Sequence, residues 1–259
     1  MGLARGVWGS IKLLGYFARF GVELLVTQPK TRPARAAWLH RFCATAMPGM
    51  GVQLTVEGTP PGRGSLISNH LTYVDIVAMA AVQPCVFCSK AELKAIPVLG
   101  WMTKMAGTVF VERGRGGSAL RAKSGMKAAS DAGLPVVFFP EGTTSNGDET
   151  RAFHSGLLAQ AMESGEPVTA AFLSYTFDEE NGPGVTAREY VCWGDDTGMF
   201  THIRRFLQLR GVHAHIRFAD GPILFTSDLL HRKEAAIEAR DAVIALMPTA
   251  RGAGVCTPF

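Results

Sequence analysis

Acidic residues are nearly missing from the first fifth of this sequence. Over residues 1–50, Arg5, Lys12, Arg19, Lys30, Arg32, Arg35 and Arg41 face only Glu23, a net charge of +6 in a chain whose total is +4, so the remainder carries −2. Charge as a whole is sparse, at 19% of 259 residues against the usual quarter, which hints at apolar surface meeting something other than water. Cysteine is sparse too. Cys43, Cys85, Cys88, Cys192 and Cys256 are too few and too scattered for a disulfide framework, and their odd number leaves at least one unpaired, which fits a reducing compartment. Cys85 and Cys88 form a single C-x-x-C with no second pair to complete a zinc site, so no metal is called for. There is no internal repeat and no low-complexity tract. A hydrophobic fraction of 47% sets disorder aside, and the length suits one large α/β domain or two small ones.

The basic segment interleaves its charges with Trp8, Ile11, Leu13, Leu14, Phe17, Phe20, Leu24 and Leu25, which favours anionic lipid over nucleic acid as partner. Arg5, Lys12 and Arg19 are spaced by seven, so a helix over 3–25 lines them up on one side. At 1.5 Å per residue that helix is about 35 Å long, enough in principle to span a bilayer. Spanning would place Lys12 near the midplane at about 2.5–3.5 kcal/mol, whereas lying flat lets the basic stripe meet headgroups. The expectation is a helix on the membrane surface, with a single span and simple packing on the protein as alternatives. No uninterrupted apolar run followed by a small-residue cleavage site marks a signal peptide. Pro29 and Pro33 break the helix, and 34–47 reads as a second amphipathic segment with Trp38, Leu39, Phe42 and Met47 opposite Arg35 and Arg41. Residues 1–50 are therefore expected to be a membrane-interfacial helical hairpin, and 51–259 the remaining domain.

From residue 52, β-type runs at 52–56, 65–68, 86–88, 108–111, 136–139, 168–173, 190–193 and 213–218 alternate with amphipathic stretches at 75–82, 118–132 and 200–209. That alternation predicts an α/β fold, a single largely parallel central sheet covered by helices. A last helix is expected over 228–247, stopped by Pro248. In such sheets ligands sit beyond the carboxyl ends of strands, which directs attention to the residues after Ser68, Val111 and Phe139.

His70 and Asp75 follow the first of these strands. On one regular helix they would point about 140° apart. If the helix starts after the histidine they can pair, the carboxylate fixing the tautomer and supporting the imidazolium, which is the arrangement of a general base. The bland alternative is an Asn69 cap followed by an incidental surface histidine. Gly107-Thr-Val-Phe-Val-Glu-Arg113-Gly-Arg115 empties a strand into a glycine-rich turn with two guanidinium groups, suited to phosphate or to plain solvent. Phe139-Pro-Glu141-Gly142-Thr143-Thr144-Ser145-Asn146-Gly147 gathers a carboxylate, hydroxyls and backbone amides at a third strand end, as a polar substrate site or as an ordinary turn. His40, His154, His202, His213, His215 and His231 lack such a block, with His154 held in reserve.

Together these segments closely resemble the glycerophospholipid acyltransferase family, typified by 1-acylglycerol-3-phosphate O-acyltransferases. His70 and Asp75 match its H-x4-D signature, preceded by Asn69. Gly107, Phe110, Val111 and Arg113 match G-x-x-F-V-x-R, residues 139–143 match F-P-E-G-T, and Pro167-Val168 looks like its Pro-Val strand block. Ser89-Lys90-Ala91-Glu92-Leu93 with Pro97 and Gly100 resembles the linker between the first two blocks. The resemblance implies transfer of a fatty acyl group from acyl-CoA or acyl-carrier protein to the free hydroxyl of a lysophospholipid, 1-acylglycerol-3-phosphate foremost. It implies catalysis by His70 and Asp75 and substrate contacts at Asn69, Lys90, Arg113, Glu141, Gly142 and Thr143. No cofactor beyond the thioester co-substrate and no nucleic acid partner are expected, and the site of action is the cytoplasmic face of a membrane, where thioester donors are made. The absence of a G-x-S-x-G elbow agrees with direct attack and no acyl-serine step.

One residue departs from the pattern. Many members acting on a phosphate-headed acceptor have Arg after E-G-T, whereas this chain has Thr144, as in members acting on lyso-ornithine lipid or lysophosphatidylcholine. Three other readings stand beside acyl transfer from a thioester: an esterase using a distant serine, a non-catalytic membrane-surface module, and transacylation between lipids.

Overall fold

A computed structural model describes residues 2–95, 99–111, 118–178, 181–182, 184–194 and 197–248. Two helices come first, α1 (Gly2–Thr27) and α2 (Arg32–Gly49), then β1 (Val52–Glu57), β2 (Ser65–Ser68), α3 (Val74–Val82) and β3 (Val86–Lys90). A short 3₁₀ turn (Ala91–Ala95) leads to α4 (Leu99–Met105), β4 (Val109–Val111), α5 (Ser118–Ser130), β5 (Val136–Phe138), α6 (Ser155–Glu163) and β6 (Val168–Thr176). The described chain closes with α7 (Ala187–Tyr190), α8 (Met199–Phe206), β7 (Val212–Pro222) and α9 (Arg232–Ile244).

The seven strands form one sheet in the order β1-β7-β6-β2-β5-β3-β4. All pairings are parallel except that between β6 and β7. β2, β5 and nearly all of β6 are buried, as expected of strands covered on both faces, which read as apolar runs without alternation. Leu66, Val137, Leu173 and Tyr175 face the core shared with α1, α2, α3 and α8, while Ile67, Val136, Phe138 and Phe172 face the core shared with α6 and α9. Gly64 lets β2 begin so close to its neighbour: its φ is +80° and a Cβ there would lie 2.3 Å from the Pro167 carbonyl oxygen. β2 lies between β5 and β6, so the loop leaving its carboxyl end is flanked by two others.

Thr31 caps α2 by accepting from Ala34 N at 3.3 Å, and Pro33 sits in its first turn, where a missing N–H costs nothing. The hairpin is built into the protein more than the sequence suggested. Phe42 stacks against Trp38 at 5.9 Å and meets Phe17 and Phe20 edge-on, each at 5.3 Å, while the other side of α2 packs on α3. The amino half of α1 rests on α8, so closely that a Cβ on Gly6 would lie 2.8 Å from Gln208 Cγ. Arg5 consequently donates to the Gln208 carbonyl oxygen at 3.0 Å rather than joining Lys12 and Arg19 on an outer stripe. What α1 turns to solvent is mainly apolar, a line of Leu3, Val7, Ile11, Leu14, Val22 and Leu25 with Trp8 beside it, and Lys12 and Arg19 are exposed along its edge. No helix among the described residues is long and apolar enough to cross a membrane.

A further expectation is corrected. Residues 190–193 form no strand: α7 ends at Tyr190 and the buried Val191 and Cys192 follow it, so their apolar run reflects burial beside the sheet rather than a place in it. Cys43, Cys85 and Cys88 are buried free thiols, the latter two pushed up to about 12 by burial, but Cys192 is disulfide-bonded.

Candidate active site

The site begins where β2 runs out of backbone partners. Beyond Ser68, the Asn69 side chain takes over the ladder: its Nδ2 donates to Leu173 O at 2.9 Å and its Oδ1 accepts from Leu173 N at 2.8 Å. An amide mimicking a peptide unit can extend the sheet by one residue while the main chain turns away. Asn69 is fully buried and both ends of its amide are occupied by Leu173.

The next residues are pinned at every backbone group that leaves the strand. His70 N donates to Glu141 Oε1 at 2.7 Å, and His70 O accepts from Ser145 N at 2.9 Å. Leu71 N and Thr72 N donate to Asp75 Oδ2 at 2.7 and 3.0 Å, and Leu71 O accepts from Trp193 N at 2.8 Å. Asp75 lies in the first turn of α3, where the helix dipole favours a carboxylate. The helix starts after the histidine, and the two side chains meet at 2.8 Å, His70 Nδ1 to Asp75 Oδ2.

This contact places the ring proton on Nδ1 and leaves Nε2 as the basic nitrogen. The imidazole also stacks on Phe139, with ring centroids 3.9 Å apart and planes within 9°, so its rotation is restrained by the stack on one face and by the bond to Asp75. Its side chain keeps 13% exposure while Asp75 has none. A base that is held on one nitrogen and open at the other can take a proton from a bound hydroxyl. The carboxylate cannot reach water and acts only through the ring.

Glu141 is turned inward. Its Oε1 holds His70 N and its Oε2 accepts from Arg151 N at 3.0 Å. Burial pushes its carboxyl up to about 7, against the pull of these two donors. Gly142 follows at φ +69°, a turn that a side chain would strain. It carries the chain past half-buried Thr143 to Thr144 and Ser145, both buried. Asn146 Nδ2 donates to Asp148 Oδ2 at 2.8 Å, and Asp148 pairs with Arg188 at 2.7 Å.

The structure thus brings together Asn69, His70, Asp75, Glu141, Gly142 and Thr143 at the carboxyl ends of β2, β5 and β6. Lys90 ends β3 opposite Val111 of β4. Arg113 and Arg115 lie outside the described residues, as do Pro97 and Cys256. His154 is exposed at the start of α6.

Sequence reasoning missed Tyr175, whose Oη donates to Asp75 Oδ1 at 2.6 Å, and Trp193, which latches the loop through Leu71. A tyrosine at the end of the apolar run of β6 was a usable signal, because a buried phenol needs a partner. Trp193 gave none, since its main chain does the work.

Residues 53–174 match the family model described as Acyltransferase. The chain is 37% identical over 215 residues to a lyso-ornithine lipid O-acyltransferase of Pseudomonas aeruginosa, covering 82% of this chain and 78% of that protein. It is 30% identical over 191 residues to a 1-acyl-sn-glycerol-3-phosphate acyltransferase of Neisseria gonorrhoeae, covering 73% and 72%. The fold matches the crystal structure of the 1-acyl-sn-glycerophosphate (LPA) acyltransferase PlsC from Thermotoga maritima, with a TM-score of 0.66 at 19% identity over 96% of this chain and 98% of that one.

Proposed function

The chain belongs to the glycerophospholipid acyltransferase family, and from that premise we propose that it moves a fatty acyl group from a thioester, acyl-CoA or acyl-carrier protein, to the free hydroxyl of lyso-ornithine lipid at a membrane surface. The observation that carries the chemistry is the 2.8 Å contact between His70 Nδ1 and Asp75 Oδ2 with Nε2 left open. His70 Nε2 takes the proton of the acceptor hydroxyl as its oxygen attacks the thioester carbonyl. Asp75 supports the imidazolium that forms. When the tetrahedral intermediate collapses, the carbon–sulfur bond breaks, the thiol leaves with the proton returned by His70, and an ester remains. No covalent bond to the enzyme is needed.

The acceptor assignment rests on position 144. Thr144 is buried and neutral, so this place offers no guanidinium to a phosphate headgroup, and the Pseudomonas aeruginosa relative is named for lyso-ornithine lipid. The Neisseria gonorrhoeae relative and the basic residues of the 112–117 segment favour a second reading, 1-acylglycerol-3-phosphate. A panel of lyso-lipids with one radiolabelled acyl-CoA and purified protein separates them. Lyso-ornithine lipid is expected to be acylated at least about tenfold faster than the phosphate-headed acceptor, a gap of about 1.4 kcal/mol. The reverse order would transfer the assignment to 1-acylglycerol-3-phosphate.

The membrane contact is assigned to the outer face of α1. Leu3, Val7, Trp8, Ile11 and Leu14 are each more than half exposed, with Lys12 and Arg19 alongside to meet anionic headgroups. The helix lies in the interface rather than crossing it. Deleting it would strip Phe20 and Leu24 from the core, so point changes are the better test. Burying a large aliphatic side chain is worth about 1.5–3 kcal/mol, so replacing both Ile11 and Leu14 by Asp is expected to lower partitioning onto anionic liposomes at least about a hundredfold. Cosedimentation reads the loss, and an unchanged melting temperature shows that the fold is kept. Undiminished binding would move the membrane face elsewhere.

A further inference from the structure

β6 sends alternate side chains into the two cores of the sheet, and near its carboxyl end one of them is a phenol. Tyr175 is fully buried. An aliphatic or phenyl side chain would fill the same space without the cost of drying a hydroxyl, so the hydroxyl needs a polar partner. That partner is the carboxylate of the site: Tyr175 Oη donates to Asp75 Oδ1 at 2.6 Å. The other oxygen, Oδ2, already serves His70 Nδ1, Leu71 N and Thr72 N.

We propose that Tyr175 is a positioning residue for acyl transfer, its hydroxyl keeping Asp75 ionised and its carboxylate plane fixed so that Oδ2 stays aimed at His70. This rests on the reading of His70 and Asp75 as the proton-transfer pair. Asp75 has no exposure, so its charge is stabilised only by the donors around it, and among the described residues Tyr175 is the donor to Oδ1. Burial and the Asp75 charge hold the phenol well above its usual range. It is therefore a donor at every working pH and never a base.

The sign of its effect follows. Without this donor the carboxylate is more basic, which favours both the imidazolium form of its partner and protonation of the carboxyl itself. Both changes remove the free base at a higher pH on acidification. A hydrogen bond to an ionised group corresponds to about one to two pH units. The other titratable groups around the pair are Glu141 behind the His70 amide, pushed up to about 7 by burial, with Arg151 beyond it. On the other flank Tyr73, raised by burial, contacts His202 of α8 at 3.2 Å, whose imidazole is held below its usual range by burial.

The test is Tyr175→Phe in the full chain, which removes one oxygen from a packed position. The expected result is a fall in kcat of about tenfold or more at pH 7 with KM for thioester and lyso-lipid within about twofold, largely recovered when the pH is raised by about one to two units. Because Glu141 also titrates near neutrality, the proton shared by His70 Nδ1 and Asp75 is read directly, as a low-field NMR resonance displaced in the variant. Phe172→Leu serves as control. It disturbs the same strand from the opposite face and is expected to melt earlier while keeping both the acid limb and the resonance.

An acid limb and a resonance unmoved by Tyr175→Phe would overturn the proposal, as would an equal movement in Phe172→Leu. The resonance needs no substrate, so it is displaced even in a protein that acylates no lyso-lipid. Failure of the acyl-transfer reading is thereby distinguished from failure of this one.

Discussion

Replacing His70 by alanine is expected to lower kcat for acyl transfer by about 10²–10⁴-fold, the range that a positioned general base supplies. The fold should survive. Among the described residues the imidazole is attached to the core by stacking on Phe139 and by its bond to Asp75, while the main chain of residues 70–72 is held by Glu141, Ser145, Trp193 and Asp75. Asp75 keeps three of its four donors, so its charge is not stranded. A thioester-release assay with circular dichroism melting on the same sample reads both parts. Retention of more than a few per cent of the wild-type rate would remove His70 from its role. Hydrolysis of the donor without an acceptor, lost together with transfer, would instead support an esterase.

Asp75→Asn is expected to come close to that loss, because it changes charge and tautomer while leaving shape intact. An asparagine can keep its carbonyl oxygen on Leu71 N, Thr72 N and His70 Nδ1 and turn its amide toward Tyr175 Oη. What disappears is the negative charge that supports the imidazolium, together with the preference for a proton on Nδ1. A neutral amide in this place costs a histidine base up to about 10⁴-fold in kcat. The change should fall on kcat, with KM for both substrates little altered, since Asp75 is fully buried and touches neither. Asp75→Ala would confound the test, because it leaves Leu71 N, Thr72 N and the Tyr175 hydroxyl without an acceptor in the core. A kcat within about tenfold of wild type for Asp75→Asn would show that the histidine works without its carboxylate.

That His70 and Asp75 could pair required only a strand ending at residue 68 and a helix starting after residue 70, and both were legible: residues 65–68 form a short β-type run, and residues 75–82 follow as a helical one. Asp75 in turn ties the loop to the first turn of α3, its carboxylate accepting from Leu71 N and Thr72 N just ahead of the helix. The loop at 139–147 was also placed correctly at a strand end, following β5. Residues 190–193 misled because buried Val191 and Cys192 carry the same apolar signature as a strand, and periodicity over four residues cannot separate the two. The outer face of α1 was misjudged at Arg5, where Gly6 admits Gln208, just past the end of α8, close enough to capture the guanidinium on a carbonyl.

Roles within the site were less legible than its membership. Asn69 and Glu141 carry polar groups that a sequence reading assigns to substrate. In the fold both are spent on backbone, Asn69 on Leu173 and Glu141 on His70 and Arg151. Nothing in their local sequence announces this, since Leu173 lies 104 residues from Asn69. The amino-acid order alone determined the family blocks, the alternation that makes an α/β sheet, and the spacing that lets one histidine meet one carboxylate, because each is a matter of near neighbours. Only the tertiary structure decided that β6 lies beside β2 with its Tyr175 hydroxyl on Asp75, and that β7 runs against its neighbour. It also decided that α1 docks by its glycines and leaves its apolar line outside. Those choices depend on which buried groups across the sheet can satisfy one another, and that is settled by packing rather than by distance along the chain.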